Sequence, residues 1–337
     1  MSILYKQSDY LQRVFVLGAG VSAACGLPVT GQLLEEVLKF SQVSNPAFAK
    51  RLSKFLRYLY SNFRPPHTKL PNIEKLMSMM EAMVVFNERI RKKCLYPNKE
   101  IAKLKNALIM SICEYLRFQI EGANLSRLCD FVRLLAKNDT VLTFNWDTLL
   151  EHALEKNNIP LNRNSGYWYL PIKPKARVTI LKPHGSINWF DRNQMPIRRQ
   201  LSLVLGKNIS VYRDIGSSRN NVMPYIIPPT INKVFETKEI MKIWKGVYRS
   251  LCRADEVFVI GYSFPLEDLH ARFVFRTALR TNIIRKRKRN NQGKVRIVVV
   301  NPDPRVEATC ESIVGTDFRF YRKRFEDLIS DKKVLVL

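Results

Sequence analysis

A series of short apolar, β-branched runs, each ending abruptly in small or polar residues, sets the architecture open to this chain. Residues 14–17, 141–144, 178–181, 225–227, 257–260 and 295–300 are too short for buried helices and lack the alternation of half-exposed strands. They are expected to be strands buried on both faces. Helical spacing fills most intervals, as at 31–40, 148–156 and 268–281. This alternation implies an α/β fold, a Rossmann-like parallel sheet with helices on both faces.

One stretch departs from the alternation. From about 45 to 138, leucines, methionines and aromatics recur at helical spacing with no convincing strand, so a helical insertion is expected within a single domain spanning 1–337. Its stripe of Leu76, Met77, Met80, Met83 and Val84 reads as packing rather than a functional methionine surface. Residues 189–223 carry several arginines and one short apolar run at 201–205, and are expected to form a lid or loop over a substrate.

Composition narrows the class. No apolar run reaches the roughly eighteen residues of a membrane span, and residues 1–15 lack a secretory apolar centre, so a cytoplasmic protein is expected. The six cysteines, at 25, 94, 113, 129, 252 and 310, include no C-x-x-C pair and imply buried thiols without a metal. A net charge of +27 favours phosphate-bearing or acidic partners. The densest basic run, 285–289, is expected in a solvated loop, and nucleic acid remains a further partner suggested by charge without a motif.

In open parallel sheets, ligands sit beyond the carboxyl ends of the strands, so the residues that follow each run carry the functional information. Gly18-Ala19-Gly20-Val21-Ser22-Ala23 follows the first as a G-x-G-x-x-A loop, a pattern that offers turn glycines and helix-start amides to a pyrophosphate. A hydride-transfer enzyme would add an acidic residue about twenty positions on, at the end of a second strand. That region reads Leu38-Lys39-Phe40, which disfavours a dehydrogenase. Asn145-Trp146-Asp147 follows the second run; either polar residue can cap the next helix, and Asn145 is the better ligand candidate. Of the four histidines, at 67, 152, 184 and 270, only His184 stands at a strand end beside a glycine, where an imidazole can act as a general base. Pro228-Pro229, Gly261-Tyr262-Ser263 and Asn301-Pro302-Asp303 follow the later runs.

In order, G-A-G-V-S-x-x-x-G-L-P (18–28), T-F-N-W-D (143–147), K-P-H-G-S (182–186), G-Y-S (261–263) and V-V-N-P-D (299–303) resemble the NAD-binding signatures of the sirtuin superfamily. The resemblance spans most of the chain. It implies that Gly18, Ala19, Gly20 and Ser22 meet the phosphates of NAD, and that Gly261, Ser263 and Asn301 meet its adenosine half. It implies further that Asn145 holds the nicotinamide ribose or a water, Asp147 the carboxamide, and His184 the ribose hydroxyls. Pro28-Val29-Thr30-Gly31 replaces the Asp-Phe-Arg segment of sirtuin deacylases, and Phe144 stands where they usually carry Gln. Residues 185–251 hold no cysteine, so the four-cysteine zinc module is missing and with it support for an acyl-lysine groove.

On these grounds the chain is similar to the bacterial sirtuin-like NAD hydrolases of antiviral defence, which implies NAD as substrate, no metal and nicotinamide release. Such relatives imply homo-oligomers, or a partner ATPase or Argonaute-like protein. ADP-ribosyl transfer, deacylation and a non-catalytic nucleotide- or nucleic-acid-binding role are the alternatives.

Overall fold

The computed structural model describes residues 11–60, 63, 70–90, 95–161, 178–191, 209–211, 223–228, 230, 238–288 and 294–331. Six strands form an all-parallel sheet: β1 (Arg13–Leu17), β2 (Thr140–Thr143), β3 (Thr179–Leu181), β7 (Glu256–Ile260), β8 (Arg296–Val300) and β9 (Arg319–Tyr321). Their spatial order is β3-β2-β1-β7-β8-β9. The central four are rich in β-branched residues and buried nearly throughout, as strands covered on both sides must be. Phe15 of β1 pairs in register with Phe258 of β7, their rings stacked at 5.0 Å, and Phe131 meets Phe15 edge-on at 5.4 Å.

Flanking helices make the crossovers. They are α1 (Ala19–Ala23), α2 (Thr30–Ser44), α3 (Pro46–Leu59), α4 (Ile73–Ile90), α5 (Asn98–Glu121), α6 (Ser126–Val132), α7 (Leu149–Lys156), α8 (Lys238–Arg253), α9 (Leu269–Lys288), α10 (Arg305–Val314) and α11 (Phe325–Ser330). Local chemistry sets several boundaries. Asn45 accepts the Phe48 amide hydrogen just ahead of Pro46, a side-chain cap followed by a first-turn proline that starts α3. Among the described residues, 45–138 contain helices and no strand. Leu76, Met77 and Met80 are fully buried in the core, with Met83 and Val84 packed at its edge. No helix among the described residues is long and apolar enough to cross a membrane.

Four expectations need correction. Residues 225–227 do not join the parallel sheet: β6 (Pro224–Ile226) belongs to a separate antiparallel sheet with β4 (Gly185–Asp191) and β5 (Ile209–Val211), in the order β5-β4-β6. The lid expected at 189–223 therefore begins as strand, because Trp189 and Phe190 are buried in β4; 192–208 and 212–222, with the run at 201–205, lie outside the described residues. The basic run is not a loop either. Residues 285–288 continue α9, since Arg and Lys propagate a helix well, whereas Arg289 lies outside the described residues. The run at 178–181 is only half-buried at the sheet edge, as β3.

The chain leaves β1 toward β2 and β3 on one side and returns through β7, β8 and β9 on the other, so strand order reverses between β1 and β7. Open α/β sheets bind ligands beside such a switch point. Here the turns after β1 and β7 touch. A Cβ on Gly18 would lie 2.5 Å from the Gly261 carbonyl oxygen and the Tyr262 Cα; one on Gly20 would lie 2.8 Å from the Gly261 Cα. Gly261 itself has φ +62°. The amides of Gly18 and Gly20 donate to the carbonyls of Ile260 and Gly261. Gly18→Ala is expected to destabilise the fold by about 2 kcal/mol or more, because only backbone movement relieves the clash. Chemical denaturation against the unmutated chain measures it, and an unchanged midpoint would show that the turns can separate freely.

Candidate active site

A cleft of about 600 Å³, counted to its open mouth, lies beyond the carboxyl ends of β1 and β2. Ala19 and Ser22 of α1, Asn145 and Asp147 after β2, and His184 after β3 all wall it. These residues are distant in sequence, and strand order alone makes them neighbours. The helical region supplies a further wall: Leu33 from α2, Glu74 from α4 and Leu116 from α5, beside Leu27, Pro28 and Thr30.

A chain of hydrogen bonds, part-buried at Asn145 and buried at Asp147, holds the polar side. Asn145 Nδ2 donates to the Gly18 carbonyl oxygen at 2.9 Å and to Ser22 Oγ at 2.8 Å. Because a carbonyl only accepts, the nitrogen of this amide must face Gly18. Both amide hydrogens are thereby used, and the carbonyl oxygen is the atom Asn145 can offer a ligand. Ser22 passes its hydroxyl hydrogen to Asp147 Oδ2 at 2.6 Å. Asp147 Oδ1 accepts the Leu149 amide hydrogen at 3.1 Å, so Asp147, not Asn145, serves the start of α7. Burial pushes the Asp147 carboxyl above its ordinary range, against the opposing pull of the Lys182 charge and the Ser22 hydrogen bond.

Beneath this chain lies an ion pair that the sequence did not reveal. Lys182 Nζ meets Glu151 Oε1 at 2.9 Å with both side chains wholly buried, and donates to the Asp147 carbonyl oxygen at 2.5 Å. The pair fastens the residue before Pro183-His184 to α7 and to the β2 turn. Lys182→Met would leave Glu151 as a buried unpaired charge, at an expected cost of about 3–5 kcal/mol. The double variant with Glu151→Gln is expected to recover part of the loss in thermal or urea melts, and a single variant as stable as the parent would contradict this role.

The apolar side is aromatic. Phe144 stacks on Tyr262 with centroids 4.2 Å apart and 7° between planes, and both wall the cleft. Phe144 also meets the His184 ring edge-on at 4.8 Å. Burial, and then the neighbouring Asp268 carboxylate, drives the Tyr262 hydroxyl well above its ordinary range. Tyr262, Asp268, Glu74, Glu151 and Lys182 were missed from sequence. Tyr262 and Lys182 lay inside quoted motifs, whereas Glu74 and Glu151 sit within helices where acidic residues are ordinary.

The other sequence candidates fall elsewhere. Gly18, Gly20 and Gly261 form the contact between turns; none walls this cleft. Ser263 is exposed, while Asn301 is buried and accepts the Asp303 amide hydrogen. Both follow the adjacent strands β7 and β8 along the sheet edge. His152 lies on α7 and His270 on α9, where it meets Trp244 edge-on at 4.5 Å; His67 is outside the described residues. Cys25, Cys113, Cys129, Cys252 and Cys310 are buried free thiols, and burial raises Cys25, Cys113 and Cys310 to about 12. Cys94 lies outside the described residues.

Residues 139–318 match the model of the SIR2-like domain family, and the chain belongs to that family. The match contains the Asn145, His184, Gly261 and Asn301 motifs and begins after the glycine-rich loop. Similar solved structures include a Sir2 homologue mutant with ADP-ribose, at 15% identity over 98% of this chain and 95% of that one, with a TM-score of 0.45. Another is Sir2Tm bound to a propionylated peptide, at 12% identity over 97% and 94% of the two chains, with a TM-score of 0.41. No curated protein matches the chain.

Proposed function

We propose that the chain binds NAD as substrate and cleaves its nicotinamide–ribose bond with water, giving nicotinamide and ADP-ribose. The observation that carries this reading is the meeting of Asn145 and His184 at one cleft, with Asn145 fixed by Gly18 and Ser22. The residues suit the substrate. The cleft combines an aromatic slab, Phe144 on Tyr262, with acceptors for ribose hydroxyls or water. In this reading the remaining nucleotide extends along the sheet edge past the β1 turn toward Ser263 and Asn301, with Ala19 and the α1 start beside the phosphates.

The chemistry asks little of the protein. The pyridinium ring takes the bonding electron pair and leaves as neutral nicotinamide, so no general acid is required. Positive charge develops on the ribose, and acceptor groups already in place stabilise it without reorganising. The Asn145 carbonyl oxygen orients a ribose hydroxyl or the attacking water, and His184 accepts the proton released as the new C–O bond forms. Asp147 keeps the Asn145–Ser22 pair in register and, from the cleft wall, would meet the nicotinamide carboxamide.

Water is the preferred acceptor because residues 185–251 lack the cysteines of the zinc module that accompanies an acyl-lysine groove. The resemblance to antiviral NAD hydrolases extends the proposal to a regulated effector that depletes NAD. It would act as a homo-oligomer or with an ATPase or Argonaute-like partner, since unrestrained cleavage would harm the host.

Incubation with NAD, with and without the products of neighbouring genes, followed by mass spectrometry, tests the reading. Free ADP-ribose and nicotinamide are expected. Asn145→Ala and His184→Ala are each expected to lower release by about 10²-fold or more while the fold is kept. Full release by both folded variants would refute the assignment. ADP-ribosylated protein or O-acyl-ADP-ribose as the main product would replace hydrolysis with transfer or deacylation.

A further inference from the structure

Asp268 is wholly buried, and nothing in the sequence motifs assigns it a role beyond starting α9. One oxygen does serve the helix start, with Oδ1 facing the Ala271 amide at 3.4 Å. The other oxygen does something a cap does not need. Oδ2 lies 3.0 Å from His184 Nε2 and accepts the Tyr262 hydroxyl hydrogen at 2.7 Å. An ionised carboxylate can accept from all of these donors at once.

The arrangement closes on itself. Tyr262 stacks on Phe144, Phe144 contacts the His184 ring, His184 meets Asp268, and Asp268 returns to Tyr262. His184 walls the cleft whereas Asp268 does not, so Nε2 points out of the cleft toward the carboxylate. In a neutral imidazole whose Nε2 carries the hydrogen, the lone pair resides on Nδ1.

We propose that Asp268, braced by Tyr262, is a positioning residue for His184 that fixes the Nε2–H tautomer and so makes Nδ1 the atom that accepts the proton. This rests on the reading of His184 as the proton acceptor in NAD cleavage. Asp268 does not line the cleft; it acts through the imidazole. When His184 takes the proton, the ring becomes cationic beside a carboxylate already in place, which favours that state over a neutral neighbour. The relation is the one in which an orienting carboxylate holds a catalytic histidine in the working tautomer, and in which an amide replacement keeps the shape but inverts the proton's position.

The first arm needs no variant of Asp268. In the full chain labelled with ¹⁵N-histidine, the His184 signal, identified by its loss in His184→Gln, is expected to show a protonated Nε2 and a bare Nδ1 in the neutral form. The reverse tautomer would overturn the proposal. In the second arm, Asp268→Asn can turn its NH₂ toward Nε2, so the tautomer is expected to switch. The kcat of nicotinamide release should then fall about 10²-fold or more with KM changed less than about threefold. In a His184→Ala background the same substitution is expected to lower the residual rate no further, because the group it acts through is gone. An equal loss in both backgrounds would mean a merely structural role and overturn the proposal, as would an unchanged tautomer and rate. Absence of nicotinamide release by the unmutated chain counts against the cleavage reading, while the tautomer measurement still decides on Asp268.

Discussion

The contact between the turns after β1 and β7 sets the geometry of the site. Three glycines let two backbones approach to distances no side chain tolerates, and two amides bond across the gap. This occurs at the place where strand order reverses. If the turns stood farther apart, the Gly18 carbonyl would move away from Asn145, and the polar chain through Ser22 to Asp147 would lose its anchor. The glycines of the G-x-G loop thus serve first as a joint between two halves of a sheet. The groups that face the cleft are the small residues between and after them, Ala19 and Ser22.

From that joint, order spreads through buried polar contacts. Lys182 and Glu151 tie the segment before His184 to α7, the Asp147 backbone is tied to Lys182, and Asp147 in turn holds Ser22. Each link is buried, where an unsatisfied member is costly and a satisfied one rigid. Asn145 and His184 are therefore each held by groups outside the cleft: one by the β1 turn, the other by Asp268. Side chains held in this way lose little order when a ligand arrives.

The central sheet was legible in the sequence because strands covered on both faces must be largely apolar, as the buried stretches of β1, β7 and β8 are and as Val141 and Leu142 make the middle of β2. The run at 225–227 has the same local character, yet pairs with β4; which strand a short apolar run meets is a non-local decision that composition does not encode. The basic run at 285–288 looked like a loop because charge suggests solvent, whereas its residues are good helix formers that extend α9. At the site, polar residues just after strands stood out. Asp268 did not, since an acidic residue before an apolar helix reads as a cap, and its second partner lies far upstream in β3's exit turn. Glu74 and Glu151 were hidden in helices for the same reason: burial, which gives a carboxylate its importance, is a property of the fold.

The proposed NAD cleavage requires that one cleft hold Asn145 and His184 on either side of the ribose carbon that loses nicotinamide. A crystal structure with an NAD analogue whose ribose ring oxygen is replaced by methylene, so that the glycosidic bond survives, reads that placement out. The modified ribose is expected within hydrogen-bond reach of the Asn145 carbonyl oxygen and the His184 ring, with the adenosine lying past β1 toward β7 and β8. An analogue bound with that ribose remote from both side chains, or directed to a different face of the sheet, would contradict it.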